Sequence, residues 1–128
     1  MPTVLVVDDA PEDRKPLAKL LRAHGYGVLT AVNAYEAMAA AKRERPDLIL
    51  LDVMIPPMDG LTFLMLLRQD PVGADVPVIV LTGLDDENTV SRANALNVKE
   101  MLVKSAFEPS KLLELVDKHI RRSESAQA

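Results

Sequence analysis

Three short runs of this chain carry almost nothing but apolar residues, and each breaks off at a polar one. They are Thr3-Val-Leu-Val-Val7 before Asp8 and Asp9, Leu48-Ile-Leu-Leu51 before Asp52, and Val76-Pro-Val-Ile-Val-Leu81 before Thr82 and Gly83. A strand without polar alternation is buried on both faces, which is the habit of parallel sheets. Gly27–Ala31 reads as a weaker strand, and Met101–Val103, closing on Lys104, as a short one.

Helical segments stand between the runs. Leu17, Leu20, Leu21 and His24 fall at helical spacing, and Gly25 stops that helix. Pro16 is tolerated only near a first turn, so the helix is expected to start late, near Glu12 or Asp13. Asn33 caps a helix from Ala34 to about Arg45, ahead of Pro46. Further helices are expected from Leu61 to about Gln69, from a cap at Asp85 or Asp86 to about Leu96, and from Pro109 to about Arg122. Asn97 suits a left-handed position after the fourth helix. Five strands alternating with five helices define an α/β fold with a parallel sheet covered by helices on both faces. Ligand sites in such sheets form at the carboxyl ends of the strands.

Composition narrows the functions. The 128 residues make one domain, expected over 1–122, with a polar tail over 123–128 that frays. A hydrophobic fraction of 48% excludes disorder for the bulk of the chain. Without cysteine there is no thiolate chemistry, and two histidines make a poor metal cage. Aromatic residues at 3% and a net charge of −4 argue against direct nucleic-acid binding. No apolar run approaches a membrane span, and the N-terminus does not read as a signal peptide. Elimination leaves the cytoplasm.

The strand ends then bring Asp8, Asp9, Asp52, Thr82 and Lys104 to one edge. Crowded carboxylates repel, and hard oxygen donors suit Mg²⁺. One carboxylate can act as a nucleophile toward phosphorus, forming an aspartyl phosphate. The metal, an ammonium, a hydroxyl and backbone N–H groups would surround the phosphoryl oxygens.

The ordered set Val-Val-Asp8-Asp9, Leu-Leu-Asp52-Val-Met-Ile-Pro56-Pro-Met-Asp-Gly60, Val-Leu-Thr82-Gly83 and Val-Lys104 resembles the receiver domain of two-component response regulators. The resemblance spans about Thr3 to Arg121. It implies a flavodoxin-like, doubly wound sheet of strand order 2-1-3-4-5. It implies that Asp52 accepts a phosphoryl group from a histidine kinase or histidine phosphotransfer protein, with Mg²⁺ as cofactor. Asp9 and Asp52 would bind the metal through carboxylates, Met54 through its backbone carbonyl, and Asp8 largely through water. Lys104 would pair with Asp52 at rest and with the phosphoryl group afterwards. Thr82 and Met101 would be the switch residues, and the Gly83 N–H would face the phosphoryl group. Such a domain is not an enzyme beyond its own phosphorylation and dephosphorylation. It signals to a downstream effector by conformational change.

The sequence departs from the family at three places. Ser105 stands where proline is usual, Met101 where an aromatic switch residue is usual, and Pro16 lies inside the first helix. Met54 and Leu84, which flank the water approach in the family, are apolar here and cannot activate a water. The alternative is a degenerate receiver that acts as a phosphorylation-independent interaction module. Asp59-Gly60 reads as turn and helix-start chemistry, and His24 and His119 as surface residues near helix C-termini.

Overall fold

A computed structural model describes residues 2–55, 58–83, 87–104 and 108–120. The strands are β1 (Thr3–Val7), β2 (Gly27–Ala31), β3 (Leu48–Asp52), β4 (Val78–Thr82) and β5 (Glu100–Val103). The helices are α1 (Pro11–Ala23), α2 (Ala34–Glu44), α3 (Gly60–Arg68), α4 (Glu87–Ala95) and α5 (Pro109–His119). A short 3₁₀ helix covers Pro71–Gly73. All strands pair in parallel in the order β2-β1-β3-β4-β5. The expected fold is therefore the observed one.

The continuous apolar runs are buried because each interior strand faces a helical layer on both sides. Leu5, Val7, Ile49, Leu51, Val78 and Val80 pack with α2, α3 and Ala93 of α4. Val4, Val6, Leu48, Leu50, Ile79 and Leu81 pack with α1 and α5. β3 and β4 are buried at every residue, whereas β5, paired only with β4, is half-buried throughout.

Several boundaries differ from expectation for local reasons. α1 begins at Pro11, because a proline at the first helical position gives up an N–H that has no partner there. Pro16 then stays within the helix; it costs one bond, to the carbonyl of Glu12, an exposed residue. β4 starts at Val78, two residues late: Pro77 has no N–H to give a ladder, and the Val76 carbonyl accepts from Arg68. α5 ends at His119, three residues early, where Ile120 turns to extended backbone. Arg45 closes α2 and Asn97 follows α4 in left-handed conformation, with φ of 49° and 60°. The expected α4 cap at Asp85 or Asp86, residues Leu84, Ser105 and Pro56, and the tail at 123–128 lie outside the described residues.

Candidate phosphoacceptor site

Asp8 follows β1 directly, Asp52 ends β3, Thr82 ends β4, and Lys104 follows β5. The parallel registers align these ends on one edge. Leu81 stands opposite Asp52 and Val103 opposite Thr82, and the Lys104 N–H donates to the Thr82 carbonyl at 2.8 Å. Asp8 and Asp52 are nearly inaccessible, at 1% and 4% exposure, and Asp9 is exposed. Burying carboxylates is costly unless they are paired.

Here they are. The Lys104 ammonium donates to Asp8 Oδ2 at 2.7 Å, to Asp52 Oδ2 at 3.0 Å and to Asp13 Oδ2 at 3.0 Å. Asp8 Oδ1 accepts from the Ala10 N–H, and Asp52 Oδ1 from the Met54 N–H, each at 3.0 Å. The Asp8 backbone carbonyl accepts from Arg14 at 3.0 Å. Carboxylate oxygens of Asp8, Asp9 and Asp52 lie within 4.8 Å of one another, close enough for one small cation to touch all three.

Burial pushes the Asp52 carboxyl above its ordinary value, and the nearby Asp8 charge adds to this. The hydrogen bonds from Met54 and Lys104 offset it only in part. Burial would lower the Lys104 ammonium, but its hydrogen bonds to Asp8, Asp52 and Asp13 outweigh that and raise it. Asp52 is thus a more basic carboxylate than an exposed aspartate, held beside a cation that stays charged.

The remaining expected residues fall as follows. Thr82 is fully buried at the end of β4, and Gly83 is exposed just beyond it. Met54 leaves 57% of its surface exposed at the rim. Met101 is partly buried against the helical layer that contains Ala93 of α4. Asp59 caps α3, accepting from the Thr62 N–H at 2.8 Å, as its helix-start reading requires. Gly60 has a second role: a Cβ there would stand 2.4 Å from the Asp52 carbonyl oxygen. The surface reading of His119 is corrected, since its ring is mostly buried and bonded to Glu100 at 2.7 Å. His24 stays partly exposed and meets Asp117, which also accepts from the Tyr26 hydroxyl. Sequence reasoning missed Asp13. The available signal was an acid one helical turn beyond Asp9, on the strand-end side of α1.

Residues 4–117 match the response regulator receiver domain, and the chain belongs to that family. It is 31% identical over 112 residues to the protein PilH of Pseudomonas aeruginosa, covering 88% of this chain and 93% of that one. Its fold is similar to the chemotaxis protein CheY4 of Vibrio cholerae, with a TM-score of 0.87, 32% identity, and coverage of 94% and 99% of the two chains. It is also similar to the receiver domain of the sensor histidine kinase PA1611 of Pseudomonas aeruginosa, solved with a magnesium ion in its active-site cleft. The TM-score there is 0.83, with 26% identity over 92% of this chain and 96% of that one. The chain spans about half the length, or less, of other curated relatives that it matches.

Proposed function

We propose that this receiver domain takes a phosphoryl group from a phosphohistidine of a histidine kinase or phosphotransfer protein onto Asp52. The observation that carries this reading is the Lys104 ammonium bridging Asp8 and Asp52, with Asp9 beside them, at the carboxyl edge of the sheet. An oxygen of Asp52 attacks phosphorus, the phosphorus–nitrogen bond breaks, and the histidine nitrogen leaves with the electron pair. Lys104 then follows the charge from the carboxylate to the phosphoryl oxygens, joined by the Thr82 hydroxyl and the Gly83 N–H.

The three converging carboxylates fit Mg²⁺, with Asp9 and Asp52 as direct ligands, the Met54 carbonyl as a further one, and Asp8 acting largely through water. Bound there, the ion would neutralise charge on the phosphoryl oxygens. The magnesium reported in the PA1611 receiver supports that assignment. Thr82 and Met101 relay the event to the face made by α4, β5 and α5, where an effector protein docks. Met101 is flexible where an aromatic ring would be two-state, so the shift is graded. The chain turns over no separate substrate and binds no nucleic acid itself. No described helix is long and apolar enough to cross a membrane, which accords with a cytoplasmic place of action.

The test is intact mass after incubation with a small phosphodonor and Mg²⁺. One phosphoryl adduct is expected, lost in Asp52→Asn. No adduct with any donor favours the degenerate, phosphorylation-independent interaction module.

A further inference from the structure

The three hydrogens of the Lys104 ammonium meet three carboxylates, and these are not equivalent. Asp8 and Asp52 also belong to the trio that converges for a cation, whereas Asp13 stands outside it. Asp13 sits in the first turn of α1 with its side chain 46% exposed, and Lys104 is 23% exposed beside it. A divalent cation and the ammonium would therefore draw on the same two buried carboxylates, and two positive charges at such range repel. Of the three carboxylates that Lys104 meets, only Asp13 can hold the ammonium without competing for the metal.

We propose that Asp13 is a positioning residue that keeps Lys104 at the α1 side of the site when a divalent cation engages Asp52 directly and Asp8 through water. This rests on the metal reading given above. Releasing Lys104 from Asp8 costs less when a second carboxylate is already bonded to it. Asp13 thus favours metal binding although it touches no metal. It also leaves the ammonium within reach of Asp52, where the phosphoryl group arrives. Glu12, its neighbour, lines the same groove of about 400 Å³ beside Lys104, and no described hydrogen bond or ion pair joins the two. It supplies the control for plain negative charge.

The experiment is a Mg²⁺ titration followed by NMR on the whole chain, as wild type, Asp13→Asn, Asp13→Glu and Glu12→Gln. Amide shifts at 8–10 and 52–54 report the metal, and the Lys104 side-chain methylene next to nitrogen reports the ammonium. In Asp13→Asn the Mg²⁺ dissociation constant should rise roughly two- to fivefold, the range that one half-exposed charge contact produces. It should change less than about twofold in Glu12→Gln and return toward wild type in Asp13→Glu. On saturation the Lys104 signal should stay near its starting position in wild type and move toward that of a free lysine in Asp13→Asn. An unchanged affinity and lysine signal in Asp13→Asn would overturn the proposal. An equal loss in Glu12→Gln would overturn it too, since the effect would then be one of net charge. If Mg²⁺ moves no wild-type amide, the metal reading itself fails, and this inference with it.

Discussion

Lys104 Nζ lies nearer to Asp8 Oδ2, at 2.7 Å, than to Asp52 Oδ2, at 3.0 Å. The lysine is thus held at least as firmly by the acid after β1 as by Asp52, and it ties β1 to β5 across the two strands between them. Replacing it leaves Asp8 and Asp52 buried with no cation. Lys104→Ala should lose roughly 2 kcal/mol, less than a fully buried pair because the ammonium is part-exposed. Mg²⁺ should restore more stability to the variant than to wild type. Urea midpoints with and without Mg²⁺ measure both.

Asp52 makes stability depend on pH. Its folded carboxyl lies above the ordinary value, so the native state holds its proton more tightly than the unfolded chain does. The resulting stabilisation is complete below the unfolded value and is lost as pH rises through the folded one. At neutral pH the charged, buried form is therefore a burden. Asp52→Asn should raise the melting temperature at pH 7, and the gain should shrink as pH falls through the raised folded value and level off below about 4. A gain that grows on acidification would contradict the sign.

Gly60 lies against the strand end that carries Asp52. An added Cβ would stand 2.4 Å from the Asp52 carbonyl oxygen and 2.9 Å from the Val53 Cα, both backbone atoms. Something must move, and the Gly60 N–H to Val53 carbonyl bond at 2.7 Å resists it. Gly60→Ala should cost about 2 kcal/mol, the scale of overpacking a tight site, and should slow phosphorylation by displacing Asp52. Denaturation and the rate of adduct formation give the two readings.

Arg68 offers the opposite profile. Its guanidinium donates to the carbonyls of Val76 at 2.7 Å, Gly73 and Leu96 at 3.0 Å, and Asn97 at 3.3 Å. These lie before β4 and β5, at the edge of the sheet away from the site. Arg68→Met should cost about 2 kcal/mol by leaving part-buried carbonyls without donors. Mg²⁺ affinity should be unchanged, as a titration on the folded variant would show.

The aspartyl phosphate should be long-lived, because the apolar Met54 side chain cannot hydrogen-bond or activate an attacking water. Met54→Asn combined with Leu84→Glu should hasten decay severalfold in Mg²⁺ buffer. An equal or slower decay would show that these side chains do not control the water.

The strands were legible because burial on both faces writes itself into sequence as unbroken apolar runs. The strand ends were legible for the same reason, since Asp8, Asp52 and Thr82 are where those runs stop. Partners reached across long sequence distances left no such mark. Asp13 and Lys104 are separated by 91 residues, and nothing in the local pattern says that they touch. Arg68 reads as an ordinary last-turn cation, yet it donates to carbonyls that precede both β4 and β5. His119 follows Leu112, Leu115 and Val116 at helical spacing, so its burial was legible, but its partner Glu100 on β5 was not.

β1 and β3, which lead to the acids of the site, each have a strand on either side, while Lys104 follows a strand with a single neighbour. Opening an interior strand breaks two ladders, and opening the edge strand breaks one. Amide hydrogen exchange should therefore be slowest along the segments that lead to Asp8 and Asp52 and faster along the one that leads to Lys104. On this pattern the pocket should be stiffer on its anionic side than on its cationic side. A charge arriving on Asp52 would then meet a firmer cradle than the lysine opposite it, and the first displacement would run outward through the edge of the sheet.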